Sequence, residues 1–357
     1  MRMVFLSCIV LFYQLFTFGL AKGIFWFSKP YFSISKTILF ITIFIISNLF
    51  LAGLFFGKFR LTMSWLAILW FVMMTFGLTF LTSLASQRFQ LSPNYPHAIR
   101  TVSVLIFISL IAMSIYNAYT PTVRYLNLKI DKPINKPIKL AMVSDLHLGQ
   151  LFGSKQLYQL AHILNQERVD MLLMPGDIMD DNVNAYLAEK MQPHFANLQA
   201  PLGVYATLGN HDFFGDQQRI EAEMRKAGIT PVMDESVVID GRFTLIGRND
   251  DLVKNRPTAA QLLKGVNTAL PVILMDHRPT EIEQHANLPI DIQLSGHAHN
   301  GQIFPANFVV KLIYRLSYGY EKINQGHFFV TSGYGFWGVP MRLGSQSEVM
   351  IIDLVGH

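Results

Sequence analysis

The chain has 357 residues, 51% of them hydrophobic and 15% charged, with a net charge of +5 and one cysteine. That composition excludes a disordered chain, which is poor in apolar residues, and a disulfide-stapled scaffold, which needs paired cysteines. The charge is also split, because residues 1–121 hold eight Lys or Arg and no carboxylate, leaving 21 basic residues against all 24 acidic ones from Asp131 onward.

Four apolar runs come first, at 3–20, 37–57, 61–85 and 101–119. Each approaches the roughly 20 helical residues that cross a bilayer core of about 30 Å. Four such runs in succession without an Asp or Glu argue against buried helices of a soluble core. Cations set between them point to a membrane rather than a nucleic-acid surface, and no nucleic-acid partner is expected. The first run has a second reading: Arg2, an apolar stretch and Gly19-Leu20-Ala21 resemble a cleaved secretory signal, although the run is long and rich in Phe for one. The expectation is a multi-pass cell-membrane protein with residues 1–121 as its membrane region. With the N-terminus inside, Arg2, Lys58, Arg60, Arg124, Lys129 and Lys132 are inner positives, against Lys22, Lys29, Lys36, Arg88 and Arg100 outside. That six-to-five balance leans towards a cytoplasmic catalytic domain. The lone Cys8 falls in the first run, so no disulfide framework is expected.

Residues 122–139 are expected to form a linker, because DKPINKPIK at 131–139 carries two prolines and alternating charge. Residues 140–357 then form one domain. Within it, short apolar runs at 138–143, 169–174, 204–208, 272–275 and 290–294 read as strands. Between them lie helical patterns such as 154–166, opened by a serine cap, and 216–227, opened by Asp216 and closed by Gly228. Alternating strands and helices predict an α/β fold with ligands at strand C-termini. The later runs near Val237, Phe243, Phe328 and Val349 predict a second, more antiparallel sheet, hence two packed sheets flanked by helices.

Five short pieces follow the predicted strands: Asp145-Leu146-His147, Gly176-Asp177, Gly209-Asn210-His211-Asp212, Asp276-His277 and Gly296-His297-Ala298-His299. Carboxylates, an amide oxygen and imidazoles are the donors that hold paired divalent cations. Asp145 and His147, like His297 and His299, are two residues apart, so in extended backbone each pair would face one side. Any one piece alone is an ordinary loop or turn; the ordered set of five is specific.

That set resembles the calcineurin-like metallophosphoesterases, whose pattern is DxH, GD, GNHD or GNHE, a later His, and GHxH. The resemblance covers about 138–353 and implies an α/β/β/α two-sheet sandwich. Asp276-His277-Arg278-Pro279, Gly301-Gln302 and Gly338-Val339-Pro340-Met341-Arg342 are similar to the membrane-attached bacterial branch. That branch often reads HGGQ where this chain has His299-Asn300-Gly301-Gln302, a change that spares every ligand. The resemblance implies one cation on Asp145, His147, Asp177 and His299 and a second on Asp177, Asn210, His277 and His297, with Mn, Fe or Zn all suited to the donors. It further implies a bridging Asp177, a shared hydroxide as nucleophile, His211 as the acid at the leaving oxygen, and Asp212 as the residue that orients His211.

The other histidines, His97, His162, His194, His285, His327 and His357, are expected at the surface, in helices or at the terminus. Arg248, Arg278 and Arg342 sit near motif loops, where a guanidinium can grip phosphate oxygens or simply face solvent. The apolar stretch 303–320, with Lys311 and Arg315, together with the aromatics of 334–337, reads as a bilayer-facing or acyl-binding surface or as ordinary core. The leading expectation is a membrane-anchored binuclear phosphohydrolase cleaving a phosphoester or pyrophosphate bond, and the anchor adds the hypothesis that the substrate is lipid-linked. A catalytically inactive metal-binding scaffold or sensor is the alternative, and a transporter with a regulatory domain is disfavoured by acid-free spans.

Overall fold

The computed structural model describes residues 2–89 and 95–356; the side chains of residues 2–9, 87 and 95–97, among them Arg2, Cys8 and His97, lie outside the description, as does all of His357. The chain divides into two compact units, Met1–Ser114 and Ile115–His357.

The first unit is helical: α1 (Arg2–Ser28), α2 (Lys36–Ala52) with a 3₁₀ turn at Gly53–Phe56, α3 (Phe59–Arg88), and the start of α4 (Tyr95–Tyr119). All four helices are long and apolar enough to cross a membrane. Gly19-Leu20-Ala21, the candidate cleavage site, lies inside the continuous α1. The polarity of this unit is inverted relative to a soluble core. Thr17, Ser47, Thr62 and Thr79 are buried, whereas Leu11, Phe12, Ile38, Leu49 and Leu81 are exposed. Such a surface is costly in water and neutral against lipid tails.

The second unit is a two-sheet sandwich. Its strands are β1 (Thr122–Lys129), β2 (Ile138–Met142), β3 (Met171–Pro175), β4 (Val204–Thr207), β5 (Thr230–Pro231), β6 (Glu235–Ile239), β7 (Phe243–Arg248), β8 (Val272–Asp276), β9 (Ile292–Ser295), β10 (Gly319–Ile323), β11 (Gly326–Val330) and β12 (Glu348–Val355). Its helices are α5 (Ser154–Glu167), α6 (Asn184–Ala188), α7 (Gln192–Phe195), α8 (Gln217–Lys226), α9 (Ala259–Leu262), α10 (Ile282–His285) and α11 (Ala306–Ile313). One sheet runs β1-β12-β2-β3-β4-β5 and the other β10-β11-β9-β8-β7-β6. Strand alternation explains the layering. Leu140 and Met142 of β2 meet Ile273 and Met275 of β8 in the core between the sheets, while Ala141 of β2 turns outward onto Leu157, Leu160 and Leu164 of α5 and Ile220 and Met224 of α8. Strands buried on both faces read as continuous apolar runs.

Several expectations need correction. Residues 122–129 are not linker but β1, paired in parallel with β12 along Thr122–Lys129. Its outward residues are polar or exposed because it lies at a sheet edge, which hid it as a strand. The run at Val349 belongs to the first sheet, not the second. The second sheet has a parallel centre, β7-β8-β9-β11, and is antiparallel only at its edges, β6-β7 and β10-β11. Helix α5 starts at Ser154, but Gly153 is the cap, and its N–H donates to Gln156 Oε1 at 2.9 Å. His285 lies in helix α10, as expected, though buried; His327 is not at the surface but buried in β11, with Nδ1 2.8 Å from Tyr320 Oη.

Candidate metal centre

All five motif pieces fall where a strand ends: after β2, β3 and β4 of one sheet and at the ends of β8 and β9 of the other. The loop after β2 runs beside the loop after β3. Asp145 N donates to Gly176 O (3.0 Å), His147 N to Asp177 O (3.1 Å) and Leu148 N to Ile178 O (3.0 Å). The second sheet joins through His297 N, which donates to Asp145 Oδ1 at 3.0 Å.

Asp145 and His147 are not extended, as the two-residue spacing predicted. Their φ values are +54° and +46°, and Asp177 (+52°), His297 (+69°) and His299 (+47°) are also left-handed. Asp and His visit that region at a cost that tertiary contacts must offset, and such residues cluster at functional sites. Asn300 is left-handed too, at φ +48°, so the Asn that replaces the usual Gly is a tolerated residue there. Close approach matters equally: a Cβ on Gly209 would lie 2.2 Å from Asp177 Oδ1.

The result is a convergence of electron-pair donors. One buried group holds donor atoms of Asp145, His147 and His299, and another holds those of Asp177, His277 and His297. Asp177 also clusters with His147 and His211. His147 Nε2 and His299 Nε2 are 3.2 Å apart, and His277 Nε2 is 3.2 Å from Asp177 Oδ2. His277 Nδ1 sits 2.8 Å from Pro175 O. Nδ1 must carry a proton to donate there, which leaves the Nε2 lone pair aimed at a carboxylate. Asn210 Oδ1 and His147 Nδ1 are buried without hydrogen-bond partners. Converging imidazole, carboxylate and amide donors of this kind are what a divalent cation takes, so the residues present fit a divalent metal centre.

The electrostatics carry the same signature. Burial lowers His277, yet the Asp177 carboxylate outweighs it and raises the imidazole to about 10: a proton answers the charge that a cation would. Burial pushes His147 and His297 down to about 3, and His299 well down, keeping three imidazoles neutral as ligation demands. Burial raises Asp145 to about 6, against the neighbouring His277.

His211 lines a cavity of about 340 Å³ with Asp177, Asn210, His297, His299 and Trp337. Its backbone N–H donates to Asp177 Oδ1 at 2.8 Å. Its orienting carboxylate is not Asp212, as predicted, but Asp181, whose Oδ1 is 2.5 Å from His211 Nδ1. Burial alone would lower His211, and the Asp181 bond raises it. Asp212 is buried and accepts from the N–H groups of Ile178, Met179 and Gly209. Nothing in a linear motif separates Asp181 from Asp212; the only signal was the acidic pair Asp180-Asp181, three and four residues after Asp177.

The predicted phosphate-binding arginines have other work. Arg278 grips Asp250 with Nε (2.6 Å) and Nη2 (2.8 Å). Arg342 is fully buried, donates to Ser332 O (2.7 Å), Gly333 O (3.3 Å) and Gly335 O, and lies 3.2 Å from His299 Nδ1. Arg248 is tied to Asp276, Glu281 and Pro257 O. Arg248 and Arg342 are buried, whereas Arg278 keeps 22% of its side chain exposed while paired with Asp250. Gln302 brackets the late loop, donating through Nε2 to Trp337 O (2.8 Å) and Val339 O (3.2 Å) and accepting from Trp337 N (2.9 Å). The two late sequence signatures are therefore one clamp around the site.

Sequence comparison agrees with this geometry. The profile of the calcineurin-like phosphoesterases matches residues 138–301. A metallophosphoesterase of Aquifex aeolicus is 31% identical over 233 residues, 63% of this chain and 87% of that one. The chain belongs to the calcineurin-like metallophosphoesterase family. A Helicobacter pylori metallophosphoesterase is 30% identical over 66% of this chain, but the match spans only 64% of that relative's length. A Bos taurus transmembrane protein with a metallophosphoesterase domain is 28% identical over 61% of this chain and 53% of its own.

Proposed function

We propose that this metallophosphoesterase is a membrane-anchored, binuclear metal-dependent phosphohydrolase. The observation that carries the reading is the clustering of Asp145, His147 and His299, and of Asp177, His277 and His297, beside a cavity lined by Asp177, Asn210, His211, His297 and His299. One cation would be held by Asp145, His147, Asp177 and His299 and the other by Asp177, Asn210, His277 and His297, with Asp177 common to both. Bound cations supply Lewis acidity at the phosphoryl oxygens and bring the pKa of water towards neutrality. The chain's own residues do the rest. Asp177 also accepts the His211 N–H, which fixes the acid relative to the centre. With His211 Nδ1 committed to Asp181, Nε2 is the ring atom that remains to protonate the leaving oxygen. The Asp181 bond raises the His211 pKa against the effect of burial, which favours the protonated form.

Four apolar helices in the same chain favour a substrate whose phosphoester or pyrophosphate is carried by a lipid. The test is Mn-dependent hydrolysis of a phosphodiester by the full chain, with metal analysis beside it. Activity and about two cations per chain, both lost in Asp177→Ala, support the reading. A folded wild-type chain that binds metal yet turns over no ester in a panel containing lipid-linked substrates refutes it in favour of a scaffold.

A further inference from the structure

The helix α11 (Ala306–Ile313) has two unlike sides. Ala306 and Val310, one turn apart, line the cavity beside His297 and His299. Phe308 and Leu312, also one turn apart and roughly opposite, are 56% and 88% exposed, and Val309 and Ile313 flank them at 53% and 64%. Lys311, in the last turn, is exposed on the flank next to Phe308. A soluble surface does not expose four large apolar side chains on an eight-residue helix without a partner. The helix is also bound to the centre at both ends. Before it, Gln302 accepts from Leu343 N and clamps the Trp337 loop; after it, the Tyr314 ring meets His297 at 6.1 Å between centroids.

The occupant that fits is a bilayer. Only two residues separate the end of the apolar helix α4 at Tyr119 from Thr122 of β1, a reach of roughly 10 Å. The second unit is thereby confined to a lipid surface, where even a short apolar helix face partitions because the effective concentration is high. Lys311 has the length to lay its stem on the apolar face and its ammonium among anionic headgroups.

We infer that α11 is an interfacial helix that inserts Phe308, Val309, Leu312 and Ile313 into the headgroup–acyl boundary and so holds the mouth of the cavity against the bilayer. It follows, on the phosphohydrolase reading, that a lipid-borne phosphoester enters the site past α11 without leaving the membrane.

The test uses the full chain in vesicles of phosphatidylethanolamine and phosphatidylglycerol. An environment-sensitive fluorophore is placed at Leu312→Cys, with Cys8→Ser to remove the native thiol, and at Val238→Cys on exposed β6 as a control. Blue-shifted emission at 312, quenched by shallow nitroxide lipids while 238 is not, supports the insertion. A water-like, unquenched probe at 312, equal quenching at both positions, or a blue shift that depends on protein density rather than lipid, as a second copy would give, overturns it. In the hydrolysis arm, Leu312→Glu should lower the rate on a vesicle-borne phosphodiester by about tenfold and leave a water-soluble diester unchanged. Equal loss on both esters makes α11 a cavity wall and refutes the docking role. If the wild-type chain cleaves neither ester, the phosphohydrolase reading fails while the quenching result still decides the insertion.

Discussion

Asp212 separates two accounts of the site. If it orients His211, Asp212→Ala should cost turnover and little stability. In the structure it instead accepts from Met179 N at 2.9 Å, Gly209 N at 2.9 Å and Ile178 N at 3.1 Å, all buried. These bonds tie the loop after β3 to the loop after β4. Alanine would leave three buried N–H groups without an acceptor, at about 1–2 kcal/mol each, so roughly 3–6 kcal/mol in all. That is a large share of the 5–15 kcal/mol that holds a typical domain together. At about 2–4 °C per kcal/mol for a domain of this size, the transition should fall by at least ~6 °C. Thermal unfolding of the full chain in detergent, followed by tryptophan fluorescence with and without Mn, measures it. Asn, which keeps one acceptor oxygen, should fall between wild type and Ala. An Asp212→Ala chain that unfolds within about 1 °C of wild type yet has lost its turnover would refute this reasoning and restore the orienting role.

Asp181→Asn should behave in the opposite way: stability nearly unchanged, kcat down by about 10- to 100-fold with KM held, and the alkaline limb of the pH profile moved to lower pH as His211 loses its partner. Gly209→Ala, whose Cβ would sit 2.2 Å from Asp177 Oδ1, should lower metal affinity more than it lowers the melting temperature, as titration calorimetry with Mn would show. The metal-free chain should lose stability as pH rises above 7. His277 is raised to about 10 in the fold, and an unfolded His titrates near 6.5, so the native state alone keeps that proton and stability falls by up to about 1.4 kcal/mol per pH unit until the folded value is passed. A cation replaces the proton, so the melting-temperature gain from Mn should grow between pH 7 and 9; a constant gain would exclude His277 as a ligand.

The chemistry of the site was legible because its donors sit on short strand-end loops whose residue types are fixed by what they must hold. The five pieces therefore appear in order, and the α/β alternation around them could be read from apolar runs. What was not legible depends on contacts far apart in sequence. Strand β1 is recognisable only beside β12, some 226 positions later. Arg278 looks like a phosphate ligand until Asp250, 28 residues earlier, is brought to it. The choice between Asp181 and Asp212 is geometric, since both are carboxylates near the same loop. The left-handed backbone at Asp145, His147, Asp177, His297 and His299 was hidden for a related reason: it is imposed by the packing of two sheets, not by local preference.

Arg342 shows what such packing costs and returns. Burial lowers its guanidinium to about 10, still charged at neutral pH, so the fold keeps a cation in its interior. Carbonyls of Ser332, Gly333 and Gly335 surround it. That same loop presses on the first motif, with Tyr334 N donating to Ser144 O and Gly335 N to Asp145 O, both at 2.8 Å. The arginine thus holds the strand end that carries Asp145, and Gln302 does the same for the loop carrying Trp337. Arg342 and Gln302, two of the residues similar to the membrane-attached branch, are thus part of the frame around the site. On the phosphohydrolase reading, what the frame leaves open at the cavity, Trp337 together with Ala306 and Val310 of α11, is where selection among phosphoesters is expected.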